Sequence, residues 1–156
     1  MDKIKFDFNN RTAVITGGAQ GFGLDIARRF LKSGAKVIIW DIDHKLIKEA
    51  EEETKNSNLS SSIVDVSNYE EVETEVSKIT QKSKIDILIN NAGVTGPTMP
   101  LWEYDVEMWN KIVKINLLGT FNCCKAIVPN MIANNYGRIV NVASVAGKDG
   151  NANASA

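Results

Sequence analysis

The glycine-rich segment Thr16–Gly23, with the sequence TGGAQGFG, constrains this chain more than any other feature. It follows a β-branched, apolar run at residues 12–15 and precedes a stretch with helical periodicity from Leu24. Glycines let the backbone turn sharply and let a ligand approach without a Cβ in the way. The start of the helix adds unpaired N–H groups and a partial positive charge. Strand, glycine-rich turn and helix together predict a site for a nucleotide phosphate.

The alternation of strand and helix patterns along the chain predicts a doubly wound α/β fold, βαβαβαβαβ. Two of the apolar runs are almost continuous, which is typical of a parallel sheet covered on both faces. A proline in the last helical pattern, Pro129, predicts a kink or an early end there. The predicted strands are Thr12–Thr16, Lys36–Trp40, Ser62–Val64, Ile85–Asn90 and Arg138–Ala143, and the predicted helices are Gly21–Ser33, Asp43–Asn56, Tyr69–Lys82 and Glu107–Asn134.

Length and charge narrow the possible classes of protein. At 156 residues the chain is one domain by length, and its net charge of −1 offers no basic excess for a nucleic-acid partner. The N-terminus lacks the apolar segment of a signal peptide, and no unbroken run of 18 apolar residues predicts a membrane span. We therefore expect a cytoplasmic protein without a membrane partner.

The cysteines and the single histidine indicate no metal site. Cys123 and Cys124 are adjacent, which is neither a metal-ligand nor a redox spacing, so we interpret them as reduced thiols in a helix. His44 lies in a charged stretch, and we expect it to be a solvated residue at the start of a helix.

A carboxylate at the end of the second strand is the expected partner of a phosphate-binding first turn. Asp41 lies 18 positions after Gly23, close to the spacing at which such a carboxylate holds a ribose. Because Ile42, Asp43 and His44 follow, with no Arg or Lys to neutralise a 2′-phosphate, NAD is favoured over NADP. Asp41 could instead cap the next helix, although Asp43 is a second candidate for that cap.

Polar residues also follow the third and fourth strands. Asp65 and Val66 close the third strand, and the sequence Asn-Asn-Ala-Gly at 90–93 closes the fourth. In an open parallel sheet, ligands bind outside the carboxyl ends of the strands. All of these motifs follow strands and are therefore predicted to lie at the same edge of the sheet, which favours a binding site there.

Together these motifs resemble the classical short-chain dehydrogenases/reductases. The resemblance also includes Asn116 in the last helix and Ser144 after Asn-Val-Ala at 141–143, and it covers the chain from about residue 10 onward. Residues 102–150 are most similar to 3-oxoacyl-carrier-protein reductases or sugar dehydrogenases. The resemblance implies a Rossmann sheet with strand order 3-2-1-4-5, in which residues 1–156 form the dinucleotide-binding part of a single-domain enzyme.

The resemblance implies that one set of residues binds NAD, with NADP the less favoured cofactor. The glycine-rich turn would approach the pyrophosphate, the aspartate after the second strand would hold the adenosine ribose, and the pair at 65–66 would frame the adenine. The segment 91–93 would line the groove and stabilise the central strand. The full set is Gly17, Gly21, Phe22, Gly23, Asp41, Asp65, Val66, Asn91, Ala92 and Gly93.

Ser144 and Asn116 match two of the family's catalytic residues. In the family a Tyr transfers the hydroxyl proton, a Lys four residues later lowers its pKa, a Ser binds the substrate oxygen, and an Asn holds a helix bend. From the residues alone, Ser144 could equally be a helix cap.

The family's Tyr-x3-Lys pair does not occur in this sequence. The residues four positions after Tyr69, Tyr104 and Tyr136 are Glu, Met and Val. We therefore expect a chain that stops before the pair, is incomplete relative to the family, and is inactive alone because a positioned proton donor is lost. The missing elements would also leave strands four and five uncovered on one face, with Ile87, Ile89 and Val142 as candidates for exposure.

The favoured function is hydride transfer between NAD and a small secondary alcohol or ketone of 3-oxoacyl or sugar type, in a full-length form that we expect to be a homo-oligomer. One alternative is a non-catalytic dinucleotide-binding or partner-binding fragment. A weaker alternative is another doubly wound enzyme, such as an epimerase.

Overall fold

The computed structural model describes residues 6–155. Within this range the chain forms five strands, β1 (Thr12–Thr16), β2 (Lys36–Asp41), β3 (Leu59–Ile63), β4 (Ile87–Asn90) and β5 (Arg138–Asn141). The helices of the same range are α1 (Gly21–Lys32), α2 (His44–Thr54), α3 (Tyr69–Thr80), α4 (Val106–Val113), α5 (Gly119–Ala133) and α6 (Ala146–Asp149). A 3₁₀ turn at Leu101–Glu103 and a π-helical turn at Lys114–Leu118 lie between them.

The strands form one parallel sheet in the order β3-β2-β1-β4-β5, which confirms the predicted doubly wound fold. In the register of β1 with β2, Thr16 lies opposite Trp40, and in that of β4 with β5, Asn90 lies opposite Asn141. The carboxyl ends of neighbouring strands therefore lie side by side at one edge of the sheet. The motifs that follow these strands lie at that edge.

The two faces of the sheet carry separate cores, because successive side chains of a strand point to opposite faces. One core joins alternate residues of β1, β2 and β4 to α1 and α2. The other joins the remaining residues of these strands to α3 and α5. This division is the one that right-handed crossovers predict for this strand order.

The predicted exposure of Ile87 and Ile89 was wrong. Each side chain is 3% exposed and belongs to the same core as Leu24 and Ala27 of α1. All four residues of β5 are exposed, and Val142, which follows this strand, is 47% exposed as predicted.

The bounds of β3 differ from the predicted ones. They are set by pairing with β2, which the pattern of a single strand does not show. This strand begins at Leu59 rather than Ser62, because residues 59–63 pair one by one with 37–41 of β2. Three consecutive serines in an edge strand lack the apolar signal from which a strand is predicted. Of the two outcomes predicted at Pro129, the early end was wrong, since α5 continues past this residue to Ala133.

The predicted helix at 107–134 is interrupted by the π-helical turn at Lys114–Leu118. The whole stretch Val106–Ala133 is long and apolar enough, by length and composition, to cross a membrane. Core helices of soluble proteins meet the same criterion. Here Cys123, Ile127 and Met131 of α5 pack into the core beneath the sheet, so the stretch covers one face of it.

The cysteines and the histidine lie where they were predicted. Cys123 and Cys124 are free thiols in α5, and burial, with a smaller contribution from Cys124, raises the pKa of Cys123 to about 12. Cys123 is therefore a neutral core residue. His44 is the exposed first residue of α2.

A buried carboxylate joins β1 and β4 at the amino edge of the sheet. Asp86 is 1% exposed, and its side chain accepts hydrogen bonds from Arg11 Nη1 at 2.9 Å and Thr12 N at 3.0 Å. The Arg11 guanidinium also lies 3.7 Å from the centre of the Tyr136 ring. One carboxylate therefore satisfies both a cation and a buried backbone donor.

Asp86→Ala should lower the free energy of unfolding by about 2–4 kcal/mol, because it leaves the Thr12 N–H and the Arg11 guanidinium without their acceptor. Urea unfolding followed by tryptophan fluorescence measures the loss. Asp25→Ala is the matched control, since Asp25 pairs with Arg28 at 3.5 Å on the surface, and it should cost less than about 1 kcal/mol. Equal losses in the two variants would contradict this assignment.

Candidate functional site

A cleft of about 390 Å³ lies at the carboxyl edge of the sheet. Eight of the ten predicted cofactor-binding residues line it, namely Gly17, Gly21, Asp41, Asp65, Val66, Asn91, Ala92 and Gly93. Gln20, Ile42, Val64, Val94 and Ile115 complete the lining. The structure therefore brings together residues that span more than half of the sequence.

The glycine-rich turn forms one end of this cleft. Gly17 and Gly21 have φ angles of +59° and +51°, a conformation that favours glycine. A Cβ on Gly17 would lie 2.9 Å from Ala92 Cα, whereas a Cβ on Gly21 would meet nothing within 4 Å. Gly17 thus permits close packing of β1 against β4, and Gly21 faces open space.

The first turn of α1 can receive an anion. Its first helical hydrogen bond runs from Leu24 N to Gln20 O, at 3.2 Å, so the preceding N–H groups have no partner within the helix. The turn carries no acidic side chain. These free donors, and the positive end of the helix dipole, favour negative charge beside Gly21.

Phe22 and Gly23 do not line the cleft. The Phe22 side chain is 81% exposed. Gly23 is buried, and a Cβ there would collide with the Gly17 carbonyl oxygen and lie 2.7 Å from Asn91 Nδ2. Gly23 therefore allows the helix to approach the turn.

Asp41 lies at the end of β2 and braces the glycine-rich turn. Its Oδ2 accepts from Ala19 N and its Oδ1 from Asp43 N, each at 3.2 Å. The cap of α2 is Asp43, whose side chain accepts from Lys45 N and Leu46 N. The capping alternative for Asp41 was therefore wrong. A carboxylate has about four lone-pair positions, so Asp41 keeps acceptor capacity toward the cleft.

Asp65 and Val66 are held by two helices. Asp65 N donates to Glu71 Oε2 at 3.0 Å, and Asp65 Oδ1 accepts from Ser67 N at 2.9 Å. The Val66 carbonyl accepts from Asn122 Nδ2 at 2.9 Å. Glu71 and Asn122 were not predicted as site residues, and no local pattern links Asn122 to a residue 56 positions away.

Asn91 joins β4 to the glycine-rich turn. Its Nδ2 donates to the carbonyl oxygens of Thr16 at 3.0 Å and Gly17 at 2.9 Å. In return, Thr16 Oγ1 accepts from the backbone N–H groups of Asn91 and Ala92, each at 3.0 Å. Thr16, which was not predicted as a site residue, thus fixes the same junction from the other strand.

Asn116 and Ser144 make separate local contacts. Asn116 lies in the π-helical turn, and its side chain both accepts from Val94 N and donates to Val94 O at 2.9 Å. Ser144 Oγ accepts from Ala146 N, the first residue of α6, at 3.2 Å. Both residues are exposed, and the described hydrogen bonds do not link them.

A second, larger cleft of about 500 Å³ lies at the amino edge of the sheet, beside the starts of β2 and β3. Its lining includes Lys36, Lys78 and the segment 57–62, and none of the predicted site residues. A volume by itself indicates neither a ligand nor a reaction, so we assign no function to this cleft. Across residues 6–155, no three His, Cys, Asp or Glu residues are grouped so as to hold a metal ion.

Similarity to known proteins establishes the family of this chain. The sequence model of the short chain dehydrogenase family matches residues 11–156. The chain therefore belongs to the short-chain dehydrogenases.

Named relatives are similar to this chain over most of its length. It is 41% identical over 150 residues to "2-dehydro-3-deoxy-L-rhamnonate dehydrogenase (NAD(+))" of Sphingomonas sp. strain SKA58, with 96% of this chain and 59% of that protein covered. It is 35% identical over 145 residues to "3-oxoacyl-[acyl-carrier-protein] reductase FabG" of Chlamydia muridarum, with coverages of 90% and 58%. The chain thus spans less than two thirds of the length of these relatives.

Solved structures agree with the fold. A crystal structure of NAD⁺-bound xylitol dehydrogenase superposes with a TM-score of 0.89 at 34% identity, with 95% of this chain and 58% of that one covered. The crystal structure of gox2181 gives the same TM-score at 33% identity, with coverages of 94% and 58%.

Proposed function

We propose that residues 1–156 act as the dinucleotide-binding Rossmann domain of an NAD-dependent dehydrogenase or reductase. The observation that carries this proposal is the cleft at the carboxyl edge, where residues at the ends of β1, β2 and β4 converge, among them Gly17, Asp41 and Asn91. In doubly wound sheets this is the edge at which dinucleotides bind.

The residues present fit a nicotinamide dinucleotide. The open space beside Gly21, with the free donors of α1, suits the pyrophosphate. The Asp41 carboxylate suits the adenosine ribose, and Asp65 and Val66 suit the adenine. Ala92, Gly93 and the neighbouring Val94 would line the path toward the nicotinamide.

Asp41 supports NAD as the cofactor in preference to NADP. A carboxylate accepts hydrogen bonds from ribose hydroxyls and repels a 2′-phosphate. The neighbouring lining residues Gln20 and Ile42 carry no positive charge. The names of the rhamnonate dehydrogenase and xylitol dehydrogenase relatives, which specify NAD⁺, support the same preference.

The proposed reaction interconverts a secondary alcohol and a ketone. A bound nicotinamide supplies the acceptor or donor of the hydride. Ser144 Oγ accepts from Ala146 N, which leaves the hydroxyl proton free to bind the substrate oxygen. Asn116 would support proton transfer, and its two hydrogen bonds with Val94 hold the π-helical turn against a residue that lines the cleft.

The proposed substrate is a small alcohol or carbonyl compound of the sugar or 3-oxoacyl type, in keeping with the names of the two relatives. We further propose a homo-oligomeric, cytoplasmic protein with neither a nucleic-acid nor a membrane partner.

A second candidate is a dinucleotide-binding protein without catalysis, which the cleft at the carboxyl edge would support by itself. Both candidates require the same NAD site. Turnover of secondary alcohols by the full-length protein separates them.

Calorimetric titration of the full-length protein with NAD and NADP tests the proposed function. We expect saturable binding of NAD, and we expect Asp41→Asn to reduce the preference for NAD over NADP by about 10- to 100-fold, because one charge facing the 2′-phosphate is lost. Asp43→Asn is the matched control, since it removes a nearby charge, keeps a good helix cap and does not line the cleft. An unchanged preference in Asp41→Asn would refute the ribose assignment, and no binding of either dinucleotide would refute the function.

Ser144→Ala in the full-length enzyme tests the proposal that the Ser144 hydroxyl binds the substrate oxygen. We expect kcat to fall by about 10²–10³-fold, the typical cost of removing one donor to a developing oxyanion, while the Kd for NAD stays unchanged. Ser144→Thr, which keeps a hydroxyl, should retain more of the activity. Steady-state kinetics and calorimetry give the two values. A large loss of NAD affinity in Ser144→Ala would show that this residue serves binding or folding instead.

A further inference from the structure

Asn122 is a buried polar residue that does not line the cleft, yet it contacts the cleft wall. It lies in the first half of α5, is 7% exposed, and donates through Nδ2 to the Val66 carbonyl at 2.9 Å. Val66 does line the cleft. A buried amide at this position therefore fixes a backbone group of the proposed adenine end.

Gly119, one turn earlier on α5, contacts the same residue. A Cβ on Gly119 would lie 2.7 Å from Val66 Cγ2 and 3.2 Å from Val66 Cβ. Gly119 is buried and leaves the space that the Val66 side chain occupies. The helix thus sets Val66 in two ways, by a hydrogen bond to its carbonyl and by the room it leaves for its side chain.

Asp65 is fixed independently, from α3. Glu71 accepts from Asp65 N through Oε2, and its Oε1 accepts from Asn68 Nδ2 at 2.9 Å. A shift of Val66 would therefore change its position relative to Asp65 rather than move the pair together. Recognition of a base edge requires such groups to be held within about 0.5 Å.

We propose that Asn122 is a positioning residue that, together with Gly119, sets Val66 against Asp65 and thereby selects adenine at this end of the cleft. The proposal rests on the proposed dinucleotide site. Adenine carries an amino group at its 6-position, which can donate to a carboxylate such as that of Asp65, whereas hypoxanthine carries an oxygen there. Accurate placement of Val66 is therefore expected to matter more for the adenine dinucleotide than for its hypoxanthine analogue.

The test compares NAD with nicotinamide hypoxanthine dinucleotide on the full-length protein, with Kd values from calorimetry. Asn122→Leu keeps a similar volume and removes the donor to the Val66 carbonyl. We expect the Kd for NAD to rise about 10-fold, the scale of one lost buried hydrogen bond. The preference for adenine over hypoxanthine should fall at least about threefold, because Val66 no longer holds its place.

Gly119→Ala is a second variant that leaves Asn122 intact and displaces Val66 by contact with the added methyl group. It should lower the adenine preference in the same direction. Asn134→Ala is the control, since Asn134 directly follows the same helix, is exposed, and donates through its side chain to Asn130 O at 2.7 Å. Its adenine preference should equal that of the unaltered protein.

The outcomes separate this inference from the proposed function. A reduced adenine preference in Asn122→Leu, or in Gly119→Ala where the former does not fold, supports the positioning role. Equal weakening of both dinucleotides, or no weakening, overturns it, because a general loss of structure would not discriminate between the bases. If the unaltered protein binds neither dinucleotide, the proposed function fails and this inference fails with it.

Discussion

The hydrogen bonds between Asn91 and Thr16 are the interaction on which the rest of the site depends. Asn91 Nδ2 holds the carbonyl oxygens of Thr16 and Gly17, and Thr16 Oγ1 holds the N–H groups of Asn91 and Ala92. This reciprocal pair fixes the end of β1 against the end of β4. Gly17, whose carbonyl takes part in these bonds, has the left-handed conformation with which the glycine-rich turn to α1 begins.

The two edges of the parallel sheet, where the strands begin and where they end, differ in their contacts. At the amino edge, the buried Asp86 side chain joins β1 and β4 by accepting hydrogen bonds from Arg11 and Thr12. At the carboxyl edge, the strands end in polar residues and main-chain groups that surround open space. Helix α5 packs beneath the sheet and contacts this edge through Asn122, which donates a hydrogen bond to the Val66 carbonyl. The buried ion pair and the proposed dinucleotide cleft therefore lie at different ends of the same strands.

The fold and most of the cleft lining could be predicted from the sequence, because apolar runs, the glycine-rich turn and strand-end residues such as Asp41 are local signals. What escaped prediction depends on contacts between distant segments. The start of β3 is set by pairing with β2, and the burial of Ile87 and Ile89 is set by packing with α1. No sequence pattern distinguishes Asn122 from other helical asparagines, because its contact with Val66 exists only in the folded chain. The roles of Ser144 and Asn116 stay predictions, because they concern bound substrate.

Amide hydrogen exchange on the full-length protein, with and without saturating NAD, tests the central claim most directly. A dinucleotide held by the backbone at the carboxyl edge predicts slower exchange in the first turn of α1, most of all at Gly21, which lines the cleft and whose N–H has no partner within the helix. Exchange in the segment 57–62, which lines the cleft at the opposite edge, should not change. Protection confined to 57–62, or none at residues 21–23 under saturating NAD, would contradict the account.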